Sequence, residues 1–455
     1  MNARLFDIRD RLNEVSPSFC LAKWYQVTLH LQNGHNHSCH HPGTHRTPLA
    51  ELKRSVDALH NTSLKKELRA QMMRGERPSE CAYCWTVEDS SDAAISDRFV
   101  KSADPWAAPH LDRARAAGGE DDVTPTYVEV SFSNVCNFAC SYCGPWASSK
   151  WVEEARREGP YPTSTHFNGI AYQEETGRLP IPEREENPYV EAFWEWWPEL
   201  YPSLHTFRIT GGEPLLTSHT FRVLEWIKAH PHPELRLAIN TNLCVPAQLV
   251  ERFFRLAKEI VNAGAVAALD LFTSVDAYGA RAEYMRTGMD YGVWRQNLCR
   301  FLEELPSAQA VIMCAFNALS VSSFTRLYHD VETIRKNLGA QAGSRLKVDL
   351  PYLRDPAHQS VRILPASYLD RINAARSLVE ASPNAGPMES AQLSRILAVL
   401  EKSANDPDRD QARADFYLFF NEFDRRRGSS FLASFPEMTP FFRLCRDIAL
   451  ERAQE

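Results

Sequence analysis

The chain has no apolar run near the roughly 20 residues needed to span a bilayer. Its opening, Met1-Asn-Ala-Arg-Leu-Phe-Asp-Ile-Arg-Asp10, lacks the apolar core of a secretory signal. Nor does a basic stripe interleaved with aromatics occur: 51 Lys and Arg stand against 58 Asp and Glu, a net charge of −7 and a pI of about 6.1. These absences argue against a membrane span, a secretion leader and nucleic acid as the default partner. A cytoplasmic protein is therefore expected. Disulfides are rare in that compartment, so eleven cysteines point to metal instead. The hydrophobic share, 44%, is ordinary, and 455 residues suffice for two or three domains.

Three of the cysteines lie close together, in Val130-Ser-Phe-Ser-Asn-Val-Cys136-Asn-Phe-Ala-Cys140-Ser-Tyr-Cys143, directly after the strand-like stretch Tyr127–Phe132. Thiolates are soft ligands for iron. Three of them hold three irons of a four-iron, four-sulfur cube and leave the fourth open to an incoming molecule, whereas a fourth cysteine would close the site. A second run, Phe207-Arg-Ile-Thr-Gly-Gly-Glu-Pro-Leu215, also follows a predicted strand. The competing reading is a zinc knuckle with an incidental turn elsewhere.

The triplet with Tyr142 before its last cysteine, followed by Gly211-Gly-Glu-Pro214, resembles the paired signatures of the radical S-adenosylmethionine (SAM) superfamily. The resemblance implies a [4Fe–4S] cluster on Cys136, Cys140 and Cys143, with SAM on the open iron. It implies Glu213 as acceptor for the methionine ammonium, a task suited to a charge-assisted hydrogen bond. Gly211 and Gly212 are expected to let backbone approach the ligand. Reductive cleavage of SAM to a 5′-deoxyadenosyl radical, followed by hydrogen abstraction from a substrate, is the implied chemistry.

Upstream lie Cys20, Cys39 and the pair Cys81-Ala-Tyr-Cys84, enough thiols to close one metal site. Their spacing leaves zinc and iron–sulfur both open. The wording around them resembles the twitch or SPASM auxiliary-cluster domain of radical SAM enzymes, here ahead of the core. The resemblance implies a second [4Fe–4S] cluster, with zinc the lesser alternative. Relatives often carry Cys-Cys where this chain has Cys39-His40, which leaves His40 or His41 as an alternative ligand. The histidine-rich stretch has a plainer reading as a polar loop.

From Thr126 onward strand and helix patterns alternate. Strands are predicted at Tyr127–Phe132, Thr206–Thr210, Leu235–Thr241, Ala267–Thr273, Gln309–Phe316 and Leu346–Leu350. Helices are predicted between them at Phe221–Ala229, Ala247–Val261, Gly292–Glu304 and Phe324–Asn337. This α/β pattern suits the partial (β/α)6, TIM-like barrel of the radical SAM fold. Four regions follow: residues 1–95 as an auxiliary metal-cluster domain, 96–124 as an Ala-, Asp- and Gly-rich linker, 125–350 as the core barrel, and 351–455 as a loop and helical region. Phe193-Trp-Glu-Trp-Trp197 is expected to be a helix packing its aromatics, and Asp424-Arg-Arg-Arg427 a solvated helix end.

Residues at C-terminal strand ends are expected to face the barrel mouth. By resemblance Asn240, Asn242 and Ser274 are candidate SAM contacts, and Arg286 the arginine meeting the SAM carboxylate, with Arg281 its competitor. Asp349 is the candidate catalytic acid or base, and Asn317 also faces the mouth on this reading. Cys244, Cys299, Cys314 and Cys445 stand singly in apolar surroundings and are expected in the core. The expected partners are an unidentified peptide or small-molecule substrate, oxidised or cross-linked, and an electron donor such as flavodoxin or ferredoxin. Two rival readings remain. One is a radical SAM core with a structural zinc domain that docks a macromolecule. The other is a non-catalytic iron–sulfur electron-transfer or binding protein.

Overall fold

A computed structural model describes residues 2–91 and 93–454. The strands are β1 (Gln26–His30), β2 (His35–His37), β3 (His45–Arg46), β4 (Tyr127–Ser131), β5 (Ala139–Cys140), β6 (Thr206–Thr210), β7 (His232–Thr241), β8 (Val266–Ser274), β9 (Arg286–Thr287), β10 (Gln309–Met313) and β11 (Leu346–Asp349). Nine of them make one sheet in the order β11-β10-β8-β7-β6-β4-β1-β2-β3. From β11 to β1 every neighbouring pair is parallel, while β2 and β3 are antiparallel additions. The fold is thus mixed α/β around a mostly parallel sheet. All six predicted strands are present, with ends shifted by up to three residues.

Period-two burial explains the strands. Val128 and Val130, Phe207 and Ile209, Leu237 and Ile239, and Leu269 and Leu271 are buried on one face. Helices cover that face. Ala247–Asn262 buries Val250, Phe253, Phe254, Ala257 and Ile260, an i, i+3, i+4, i+7 stripe. In Pro188–Leu200 the Asn187 side chain caps the amides of Tyr189 and Val190, and Phe193, Trp196 and Trp197 are buried. Phe193 meets Phe132 edge-on and Trp197 meets Phe207, so this helix packs against β4 and β6 as its aromatics predict.

The N-terminal region departs from its expected outline. Its β1 runs parallel beside β4, so part of residues 1–95 belongs to the central sheet. A separate apolar core gathers Leu12, Trp24, Met72, Trp85, Phe99, Trp106 and Leu111. The stretch 96–124, expected as a linker, supplies the helices Asp97–Ser102 and Leu111–Ala117 to this core. Its Ala- and Asp-rich composition hid the few large residues, Phe99, Trp106 and Leu111, that carry the packing.

Helices Leu369–Glu380, Pro387–Lys402, Arg409–Arg427 and Thr439–Arg452 make up most of the C-terminal region. Pro387–Lys402 covers the free edge of β11: Glu389 accepts the Val348 N–H at 3.2 Å and Gln392 that of Leu350 at 3.0 Å. The arginine run is not a solvated end. Arg426 and Arg427 are buried against Glu154 of the helix Ser149–Glu158, and only Arg425 is exposed. Tyr161, Gly159 O and Pro160 O supply further acceptors, which is what draws the guanidinium groups inward. No helix among the described residues is long and apolar enough to cross a membrane.

Candidate metal and ligand site

The triplet lies on a loop that the sheet and helices hold from several sides. After β4 the chain pairs briefly as β5, antiparallel to β9, which sets Cys140 opposite Arg286. The Ser141 amide donates to Met285 O at 2.8 Å, and Trp151 Nε1 donates to Cys140 O at 3.0 Å. The Cys136 amide donates to Ser149 Oγ at 3.2 Å. From far along the chain, Gln359 brackets Ser141, accepting from its hydroxyl at 2.8 Å and donating to its carbonyl at 2.9 Å.

All three cysteines are half-buried and line one cavity of about 300 Å3. Gly211, Gly212, Glu213 and Pro214 line it from the end of β6. Asn240 and Asn242 line it from β7, Ser274 from β8, and Tyr142 and Arg286 from the flank. No cysteine or histidine beyond the triplet lines it. Burial raises the thiols, Cys143 to about 12, so free thiols would stay protonated and only a bound cation would draw them into the thiolate form. Two donors already point at sulfur: the Phe138 amide at 3.4 Å from Cys136 Sγ and Arg286 Nη1 at 3.7 Å from Cys140 Sγ.

Glu213 is almost fully buried. Its Oε1 accepts from the Leu215 amide at 3.0 Å and Thr241 Oγ1 at 2.7 Å, and Oε2 accepts from the Asn242 amide at 2.6 Å. Burial raises its pKa to about 7 against the pull of these three donors. A carboxylate has about four acceptor sites, so one on Oε2 remains for a cationic group. The Ser274 hydroxyl makes no hydrogen bond among the described residues, whereas Asn240 Oδ1 already accepts from Arg208 Nε at 3.0 Å.

Three expectations change. The glycines line the cavity but also make room for protein. A Cβ on Gly211, at φ +125°, would lie 2.7 Å from Ser131 Oγ, and one on Gly212 2.7 Å from Asn134 O, because the cysteine loop packs directly on this turn. Arg286 is not free to clamp a carboxylate. Its Nε and Nη2 grip buried Asp276 at 2.8 and 3.0 Å, Tyr142 donates to the same carboxylate at 2.8 Å, and the remaining nitrogen faces Cys140. Its competitor Arg281 is held by Glu437 at 2.8 and 2.9 Å. Asp349 ends β11 but does not line the cavity, because Gln392 donates to it and ties the helix Pro387–Lys402 down. Asn317 spends its side chain on its own turn, accepting from the Leu319 and Ser320 amides. Of the single cysteines, Cys314 and Cys445 are in the core, while Cys244 and Cys299 are half-buried.

The upstream cysteines also converge. Cys20, Cys39, Cys81 and Cys84 line a second cavity together with Lys23, His41, Asp97 and Lys101. Burial raises Cys81 and Cys84 to about 12. Lys23 is buried too and keeps its proton: burial opposes the charge, but Cys81 and its ion-pair partner Glu80 outweigh that. A buried cation against four thiols fits an anionic metal–thiolate centre. Among the described residues, His40, His41 and Asp97 form the sole group of three or more His, Cys, Asp or Glu donor atoms within 4.8 Å of one another. No three thiols of either set are that close. A single zinc with four sulfurs at about 2.3 Å would draw them to about 3.8 Å apart.

Motif adjacency made the triplet and the Gly-Gly-Glu-Pro turn visible in the sequence. Gln359, Ser149 and Lys23 were missed, because each is a lone polar residue that nothing nearby distinguishes. Asp276 was missed as well, because its pairing with Arg286 spans ten residues and a turn.

No protein-family model matches the chain. A GTP 3′,8-cyclase of Klebsiella pneumoniae (strain 342) is 24% identical over 207 residues, 45% of this chain and 47% of that protein. The chain thus spans about half the length of the curated relative it matches. The similarity supports the radical SAM superfamily.

Proposed function

We propose that the protein is a radical SAM enzyme with two [4Fe–4S] clusters, one on Cys136, Cys140 and Cys143 and one on Cys20, Cys39, Cys81 and Cys84. The observation that carries this is the common cavity. Three thiols from one loop share it with the Glu213 turn, and no fourth cysteine and no histidine among the described residues lines it. Cys136, Cys140 and Cys143 would hold the cluster, and with SAM bound there the site would supply radical hydrogen-abstraction chemistry. The chain's own part is to hold and exclude. Glu213 takes the methionine ammonium on its remaining acceptor site. Ser274, with a free hydroxyl, takes a SAM oxygen. Asp276 and Tyr142 fix Arg286 as a positive charge against Cys140, which favours electron addition at that cluster. A partial barrel formed by the parallel strands encloses the reaction. The second cluster suits net oxidation or cross-linking of a peptide or small molecule, with electrons delivered by a flavodoxin or ferredoxin in the cytoplasm.

A second reading keeps the radical core but gives the N-terminal region a zinc ion. The gathering of His40, His41 and Asp97 beside the cysteines favours it. Metal and sulfide analysis of anaerobically reconstituted protein separates the two, paired with an assay for 5′-deoxyadenosine. About eight irons, no zinc and SAM cleavage are expected. The double variant Cys81→Ala/Cys84→Ala should lose about half of the iron. About four irons with one zinc would establish the second reading. SAM cleavage persisting after alanine replaces all three of Cys136, Cys140 and Cys143 would overturn both.

A further inference from the structure

A cavity of about 180 Å3 opens beside the cysteine loop and is lined in part by Ser133. Its polar lining is rich in acceptors. Glu183, Glu185 and Glu191 line it, no lysine or arginine does, and none of the three carboxylates is in an ion pair among the described residues. Glu183 is anchored by Ser133 Oγ, which donates to it at 2.8 Å. Phe132, Ile181 and Val190 provide an apolar floor.

The second observation is Gln32. It lines the same cavity, is only 4% exposed, and its Oε1 has no partner. Its Nε2 is spent on Trp146 O at 3.4 Å, which fixes the amide with the oxygen as the unsatisfied end. Buried acceptors without a donor are rare in folded proteins, and this one stands among three carboxylates that form no ion pair with a lysine or arginine, although His219 also lines the cavity and feels the charge of Glu183. The missing component is a donor carrying positive charge. The acidic groups do not converge closely enough for a metal ion, since no such group of donor atoms forms here. An organic cation with several N–H groups, spread over the cavity, satisfies what a point ion does not.

We propose that this cavity is a recognition subsite for a guanidinium or primary ammonium group, the basic side chain of a peptide or of an amine substrate. Its apolar floor takes the methylene stem, as basic side chains commonly require, and Gln32 Oε1 with the glutamates takes the head. Assigning the occupant to the substrate rests on the radical SAM reading. The cation specificity does not.

The test is calorimetric titration of reconstituted, SAM-loaded protein with N-acetyl-argininamide and N-acetyl-lysinamide, each against a neutral counterpart, N-acetyl-citrullinamide or N-acetyl-norleucinamide. At least one cation should bind about tenfold or more tightly than its counterpart, the usual worth of a charge-assisted contact. The preferred cation identifies the head group. Glu185→Gln/Glu191→Gln, on two exposed positions, should erase that preference while the variant keeps its iron. Equal binding of charged and neutral forms, or a preference surviving in the variant, would overturn the subsite. Wild-type protein that prefers a cation but never cleaves SAM would uphold the subsite and overturn the radical reading instead.

Discussion

Glu213 shows how burial and hydrogen bonding set one residue's chemistry. Burial holds its carboxyl at about 7 despite three donors. A carboxyl raised above its ordinary value is protonated more readily in the fold, so the charged form is lost as pH drops through 7. If the carboxylate receives the SAM ammonium, binding should weaken about tenfold between pH 8 and pH 6, and Glu213→Gln should bind weakly with no such dependence. Fluorescence or calorimetric titration of SAM at the two pH values checks this; a flat wild-type profile would remove Glu213 from the ammonium site. The identity of this residue was legible because its neighbours in sequence, Gly-Gly before and Pro after, mark the turn. The reason for those glycines was not, since it depends on the loop after β4 bringing Ser133 and Asn134 into contact with them.

Among the elements, the helix Arg409–Arg427 is tied to the helix Ser149–Glu158 by a buried clamp. Arg427 reaches Glu154 at 2.7 Å, Tyr161 Oη at 2.7 Å and Thr287 Oγ1 at 3.0 Å. Removing one member of a buried pair leaves the other charge uncompensated, at a cost of about 3 kcal/mol or more. Arg427→Ala should therefore shift the urea midpoint clearly downward by circular dichroism, whereas Arg425→Ala, at an exposed position, should move it little. Strands and crossover helices were readable from period-two and period-3.6 patterns. The burial of Arg426 and Arg427 was not, because charge alone marks a residue as solvated until an acceptor such as Glu154 is brought alongside by tertiary packing.

At the scale of the whole molecule, the N-terminal region and the core share a sheet. Since β1 lies between β4 and β2, deleting residues 1–124 would leave β4 an open parallel edge with Val128 and Val130 uncovered on one flank. That truncation is expected to aggregate, and size-exclusion chromatography of the remaining 125–455 against the full chain checks it; a soluble, monodisperse remainder would show that β1 is dispensable. Five residues, Gln26-Val-Thr-Leu-His30, gave no hint of this role, because a short strand inside a cysteine-rich stretch carries no periodicity long enough to separate it from a loop. The sequence's division at residue 95 failed for the same reason as its linker: cores are assembled by a few large side chains, and these are scattered through residues 8–123.

The grip of Gln359 on Ser141 has one more consequence, for the order in which the protein is made. A ribosome synthesises Cys136, Cys140 and Cys143 long before it reaches residue 359, and even the Arg286 that flanks Cys140 is then still unmade. The nascent loop has its thiols but not its braces. On the two-cluster reading proposed above, metal loading into a properly shaped core site would therefore follow release of nearly the whole chain, whereas Cys20, Cys39, Cys81 and Cys84, all within the first hundred residues, could be filled while translation is still under way.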